Sequence, residues 1–393
     1  MASTNVTDLA YVKEVTAGTT PDTPTFQRLP ITGVNLTDNI ATKTSEVLRK
    51  DRQIDDLVVV DLDVNGPVPY ELSYAPFKPM LISLLQGGAS IADVLISAAT
   101  DIAAVNATSQ FTSSSTDFVS EGIIVGCYIR VAGFANEENN GVFKVTAVAA
   151  NAITVDSTTL VDEAATPAIT IDAECYRNGA EVPDSYTFRK SFDVPGGVES
   201  IFYYRGCQIS GMTMEFASGE LLKGEMTVTG MTSEATETPI TGESIDDVVA
   251  YTLMNGVSSV TKVDLPGLPA TAFFSTLNLT VDNNVNAQKG LGQLGARGLA
   301  NFTVNVTATI EMYFEDLTLY NKYKNSTPFS VAFTLEDGDG NIIVITMPKC
   351  KFEELTEPVG GKDEFLMESG SLRALRDASS TNCTIQFDFF PAV

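Results

Sequence analysis

Three patterns in this 393-residue chain use residue types that carry chemistry. The first is Gly290-Leu291-Gly292-Gln293-Leu294-Gly295, a literal GxGxxG whose glycines would let backbone approach a dinucleotide pyrophosphate. That chemistry needs a buried strand before the glycines and a helix N-terminus after them. Here a polar stretch comes first and an alternating strand pattern follows, so the reading is a hairpin loop. The second pattern, Asp337-Gly338-Asp339-Gly340-Asn341, starts like a calcium loop. Ile342 stands where that loop needs glycine and Pro348 where it needs a bidentate glutamate, which leaves a tight turn. The third is a set of adjacent carboxylates, Asp55-Asp56 and Glu353-Glu354, and adjacency in sequence does not place two acids across a scissile bond.

The chain contains no histidine, which removes Ser-His-Asp and Cys-His nucleophiles, imidazole zinc sites and a histidine general base. It also lacks tryptophan, the usual platform for stacking sugars, so a carbohydrate-acting enzyme with paired carboxylates is a poor fit. No catalytic, cofactor-binding or metal-ligating residues are therefore expected. Five cysteines (Cys127, Cys175, Cys207, Cys350, Cys383) are scattered without CxxC spacing and read as buried free thiols in a reducing compartment. The Asn-x-Thr triplets at Asn35, Asn278, Asn301 and Asn305 follow from Asn- and Thr-rich strands and imply no glycans. The net charge of −26 disfavours a protein that grips nucleic acid, because such binding needs Lys and Arg on the phosphates.

The length allows two or three domains, no apolar run is long enough to span a bilayer, and Met1-Ala2-Ser3-Thr4-Asn5 shows no secretion signal. The pattern predicts a mainly β chain. Residues 1–23 read as an extended N-terminal arm. Leu29–Leu36 reads as a strand, Thr42–Asp56 as a long charged excursion, and Leu57–Val64 and Val68–Tyr74 as two returning strands. Phe77, Met80, Leu81, Leu84 and Leu85 then repeat at helical spacing, stopped by Gly87-Gly88. Short β-like runs at Ile123–Val131, Gly141–Val148, Ile153–Val155 and Ala168–Ile171 suggest an inserted Ig-like or small β domain over 91–176. The main domain resumes with Tyr186–Phe192, a turn at Pro195-Gly196-Gly197, and strands at Ile201–Arg205, Cys207–Phe216 and Glu225–Gly230. A linker over 241–270 carries the turn Leu265-Pro266-Gly267-Leu268-Pro269.

The last third repeats the order of the first. Asn278-Leu279-Thr280 echoes Asn35-Leu36-Thr37, and the loop Gln288–Gly298 sits where Thr42–Asp56 sat. Phe302–Met312 alternates as a strand, and Phe314, Leu317, Tyr320 and Tyr323, with Glu315 and Asp316 in the first turn, predict a second helix. Phe329–Leu335, Ile342–Met347 and Lys349-Cys350-Lys351-Phe352 then match Tyr186–Phe192, Ile201–Arg205 and Gly206-Cys207-Gln208-Ile209. The expectation is two tandem β-barrel or sandwich modules, each with one packing helix: 24–90 with 177–240, and 271–393.

Several stretches together resemble the major tail tube proteins of long-tailed bacteriophages with non-contractile tails. They are Thr23-Pro24-Thr25-Phe26 through Gly33, Ser45–Gln53, Tyr70-Glu71-Leu72-Ser73-Tyr74 with its helix, Tyr203-Tyr204-Arg205-Gly206-Cys207, and Gly224–Gly230. The resemblance implies a structural virion protein that stacks as rings around a DNA conduit. It implies an inter-ring loop carrying Lys43, Glu46, Arg49, Lys50, Asp51 and Arg52, and the Phe77–Leu85 helix packed outside a barrel. Its partners would be further copies of itself and the tail terminator, tape measure and distal tail proteins. DNA would pass without specific binding, no membrane would be involved, and assembly in the host cytoplasm would precede a place in the virion tail. Two modules per chain would make a ring of three chains, a pseudo-hexamer. Glu71, Glu215, Glu225 and Glu311, within strand-like runs, are candidates to line the lumen and repel phosphate. A tail decoration, adhesive or surface-layer β protein is the alternative.

Overall fold

Alternating apolar and polar residues pair into stable sheets when each strand can bury one face, and most strands of this chain do so. A computed structural model describes residues 7–99, 101–165, 169–180, 183–192, 197–266, 274–357, 361–362 and 364–392. The fold is mainly β, with two α-helices among the described residues. It opens with β1 (Thr7–Lys13), β2 (Thr25–Arg28), β3 (Thr37–Thr44), β4 (Leu57–Glu71) and α1 (Tyr74–Leu85). Seven strands follow: β5 (Ala89–Ala99), β6 (Ala103–Val105), β7 (Gln110–Thr112), β8 (Tyr128–Ala132), β9 (Gly141–Ala149), β10 (Ala152–Val155) and β11 (Ile169–Arg177). Next are β12 (Tyr186–Phe192), β13 (Ser200–Ala217), β14 (Lys223–Gly230), β15 (Thr232–Thr236), β16 (Ser244–Asp246) and β17 (Val260–Asp264). The final part holds β18 (Phe274–Asp282), β19 (Val285–Lys289), β20 (Ala296–Asn301), β21 (Asn305–Tyr313) and α2 (Thr318–Lys324). It ends with β22 (Phe329–Glu336), β23 (Ile342–Thr356), β24 (Met367–Ala374) and β25 (Gln386–Phe390).

One antiparallel layer runs β3–β4–β14–β13–β18–β21–β24–β23. It comprises two four-strand groups of the same order, hairpin then two further strands, joined edge to edge by β13 and β18. The second layer is built on the other halves of the long strands. β13 pairs there with β12 and β15, and β23 with β22 and β25. Irregularities recur at matching places. The register shifts between Tyr186 and Phe188 and again between Phe329 and Val331. It shifts between Ile209 and Gly211, and again between Phe352 and Glu354. A single constant offset in residue number relates both pairs of shifts.

A continuous core lies between the layers, from Val68, Tyr70 and Phe77 through Met212 and Met214 to Leu279, Ile310, Leu372 and Phe387. Helix α1 buries Phe77, Met80, Leu81, Leu84 and Leu85 in it, with Phe77 4.6 Å from the Tyr70 ring. The stretch from β5 to β11 has a core of its own, yet β11 pairs with β25 and so extends the second layer.

Several sequence expectations change. Thr7–Lys13, read within an extended arm, is a strand paired along its length with β12. Leu57–Val64 and the first four residues of Val68–Tyr74 are one strand, because the carbonyls of Pro67 and Pro69 accept from Asn35 N and Thr32 N while β14 covers the other edge; Tyr74 opens α1. Likewise β13 and β23 each fuse two expected strands. The second helix starts at Thr318 rather than Phe314, since Phe314 N donates to Leu366 O and the Asp316 carboxylate caps Thr318 N. Of its apolar residues only Leu319 is buried, while Leu317, Tyr320 and Tyr323 are exposed. α1 ends on Gln86 in the left-handed region, ahead of the two glycines. Cys127 and Cys175 form a disulfide, because the start of β8 lies against β11; Cys207, Cys350 and Cys383 are buried free thiols. The Pro195-Gly196 half of one expected turn, Gly267-Leu268-Pro269 of another, Ala168 and Met1–Asn5 lie outside the described residues.

Candidate functional surfaces

The chemical patterns dissolve into turns. The GxGxxG glycines cap the β19–β20 hairpin, with Gly292 and Gly295 at positive φ and Leu291 fully exposed. No helix follows them, so there is no dipole to receive a phosphate. The Asp337 carboxylate accepts from Asp339 N (3.0 Å), Asn341 N (2.9 Å) and Asn341 Nδ2 (2.8 Å), which commits it to the β22–β23 turn. The sulfurs of Cys127 and Cys175 and an oxygen of Asp388 lie within 4.8 Å of one another. With the sulfurs bonded to each other, neither is the thiolate that a metal requires.

What remains is an extended polar face on the eight-stranded layer. Residues directly opposed on neighbouring strands project to the same side. One cross-strand row runs Glu71, Lys223, Glu215, Asn278, Thr309, Ser371, Glu354, from β4 to β23. Glu225 lies two residues along β14 from Lys223, and Glu311 two along β21 from Thr309, so both share that side. All four glutamates singled out from sequence thus stand on one face, whose other side is core. Glu71, Glu215, Glu225 and Lys223 border one shallow groove. Sequence reasoning missed Asp63, Asp282 and Lys223 on the same face; their strict alternation with buried residues was the available signal.

The second surface is the β3–β4 arm. Beyond Leu62 it leaves the body of the molecule, and its alternation fails. Leu57, Val58, Val59 and Val60 are each about half exposed, on both faces, and Leu48 at the tip is 99% exposed. The apolar groups of an arm like this gain only by docking on another surface. Of the six charged residues expected there, Arg49 pairs with Asp51 at 2.9 Å and with Asp55, which stiffens the loop; Asp51 is held below the usual carboxylate range by Arg49. No ion pair among the described residues involves Lys43, Glu46, Lys50 or Arg52. The β19–β20 hairpin, in the matching place of the second group, behaves differently. Lys289 pairs with Asp63 at 2.6 Å and with Asp61, and Ala296 N donates to Met231 O at 2.9 Å. It is clamped onto the first half of the same chain.

The third feature is the pair of edges of this layer that no strand among the described residues covers: β3 on one side and the Glu354–Thr356 end of β23 on the other. Unpaired edges invite a further strand.

A family model described as phage tail tube protein matches residues 4–374. The chain belongs to the phage tail tube protein family. Comparison with individually curated proteins returns no match. Membership makes this tail tube chain a structural component of the phage tail rather than an enzyme, with self-assembly and tail proteins as its setting. No helix among its described residues is long and apolar enough to cross a membrane.

Proposed function

We propose that the chain is the major tail tube subunit, that it is a duplicated tube module with a small β domain inserted in the first copy, and that three chains close into a pseudo-hexameric ring. The observation that carries this is the eight-stranded layer: one strand order used twice, with register shifts at matching positions and the two groups already joined edge to edge. Three such layers supply about 24 strands. At roughly 4.8 Å spacing and 40° tilt they close at about 48 Å diameter, leaving a lumen on the order of 35 Å, wide enough for hydrated duplex DNA. The polar face with Glu71, Glu215, Glu225 and Glu311 would line that lumen. The free arm, with Lys43, Glu46, Arg49, Lys50, Asp51 and Arg52 at or near its tip, would reach the next ring. Rings would stack as the DNA-delivery conduit of a long non-contractile tail, assembled in the host cytoplasm and bounded by tail terminator, tape measure and distal tail proteins.

End-on electron microscopy of purified protein across a concentration series tests this. Open rings or tubes with three-fold symmetry are the expected result. Six-fold rings of one chain per module would keep the tube and overturn the duplication. Compact monomers at every concentration would move the chain to a decoration or surface role.

A further inference from the structure

The two open edges differ from the internal β13–β18 seam in one chemical respect. At that seam the core side is apolar throughout: Met212, Met214 and Phe216 face Val281, Leu279 and Leu277, all buried. Phe333 of β22 reaches across to Phe216, their rings 6.2 Å apart. The correspondence between the two groups carries this seam onto the open edges. Met212 corresponds to Leu355, Thr213 to Thr356 and Met214 to Glu357, because the β13–β14 and β23–β24 registers match through the same shift. Thr280 corresponds to Thr37, Leu279 to Leu36 and Val281 to Asp38, by the β3–β4 and β18–β21 hairpins. Phe333 corresponds to Lys190, since Phe333 pairs with Ile345 as Lys190 pairs with Phe202. Three apolar positions of the internal seam are therefore Glu357, Asp38 and Lys190 at the outer edges.

Those groups carry an imbalance that the single chain leaves open. Lys190 is buried, and its ammonium donates to Leu36 O at 2.6 Å and lies over the rings of Phe192, Phe202 and Tyr204. No ion pair among the described residues includes it. Burial pulls its pKa down, and Asp38 nearby pulls it up. On the other edge Glu368 is 2% exposed, and its Oε1 has no hydrogen-bond partner among the described residues. Burial first, then Glu357 and Asp316, push its pKa up to about 7. Among the described residues, one edge thus holds a buried cation that makes no ion pair even with nearby Asp38, and the other a buried carboxylate that makes none with a cation.

We propose that the partner of each edge is a second copy of this chain, joined in the register of the internal seam, so that Leu355, Thr356 and Glu357 of one copy lie opposite Asp38, Thr37 and Leu36 of the next. Glu357 and Glu368 of one copy then supply the counter-charge for Lys190 of the next. This rests on the tube reading and adds to it the register and an ionic latch. Because the closing joint is charged where the internal joint is apolar, chain-to-chain closure is sensitive to salt and the fold within a chain is not.

Cysteine pairs test the register in the full-length chain. Thr356→Cys with Thr37→Cys is expected to oxidise to a covalently closed trimer, and Thr356→Cys with Ala41→Cys, four residues out of register, is not. The charge is tested by the concentration at which rings appear. Glu357→Gln, an exposed change that leaves the core alone, raises it by about tenfold. Lys190→Met, checked for an unchanged melting temperature as a monomer, does the same, and the double variant is no worse than the weaker single. Rings that cross-link better through the shifted pair, or that ignore Glu357→Gln, overturn the seam and leave the tube standing. No ring from any variant or from the parent chain would remove the tube reading and this proposal together.

Discussion

Asp388 is a fully buried carboxyl on β25 that accepts from Tyr128 N at 3.1 Å and from Gln386 Nε2 at 2.7 Å. Burial outweighs those bonds and pushes its pKa up to about 7, as it does for Glu368. In an unfolded chain both would titrate near 4. Between roughly pH 4 and 7 the native state therefore holds protons that the unfolded state has lost, so stability falls as pH rises through that window. The effect for Asp388 alone is on the order of a few kcal/mol. Urea denaturation of the parent chain at a series of pH values is expected to show this decline, and Asp388→Asn is expected to flatten it. A steeper decline in the variant would mean that the ionised carboxylate stabilises this corner. The Cys127–Cys175 disulfide lies beside it, and Arg177 donates to Cys127 Sγ at 3.3 Å and to Gln386 Oε1 at 2.9 Å. This polar corner ties the β5–β11 stretch to the second layer.

At the scale of elements, the two hairpins are held differently although they occupy matching places in the strand order. The β19–β20 hairpin is held by Lys289 between Asp61 and Asp63, exposed pairs that solvent screens and that add little each. The backbone bond from Ala296 to Met231 and the close fit of Gly295 against Met231 O add to the clamp. Beyond Asp61 the β3–β4 arm has no such seat on the described residues of its own chain, and Leu48 and Leu57–Val60 stay exposed. Replacing residues 45–56 with an Asn-Gly turn, which suits a two-residue hairpin, is expected to leave the melting temperature within a few degrees. The same change is expected to abolish stacking, so that electron micrographs show single rings and no tubes. Tubes of normal length from the shortened chain would assign the ring-to-ring contact elsewhere.

At the scale of the assembled molecule, in the proposed tube with the polar face inward, the sign of charge on that face would decide how DNA behaves. Carboxylates keep phosphates off the wall, whereas lysines would release counterions and bind them in proportion to their number. Glu71→Lys, Glu215→Lys, Glu225→Lys and Glu311→Lys combined are expected to leave ring formation intact, because all four side chains lie on the face opposite the core. Such tubes are expected to retain duplex DNA at low salt and release it as salt rises, where parent tubes retain none. Loss of ring formation in the combined variant would place these glutamates in a joint between chains instead.

Residue type and local period were enough for the strand alternation, the position of α1 and the absence of histidine chemistry. Val306, Ala308, Ile310 and Met312 face the core because every second residue must. Glu71, Glu215, Glu225 and Glu311 could be named for the same reason, as charges alternating with apolar neighbours. Only the tertiary structure decided that they share one face, because that depends on which strands pair and in what register. The same holds for the Cys127–Cys175 bond between distant strands, for β1 joining a sheet instead of trailing, and for the clamp on β19–β20. Pairing across the β13–β18 seam decided most of all. A chain's local pattern states that an edge exists, but which edge meets which is a long-range choice, and at this seam apolar side chains on both strands make it within one molecule.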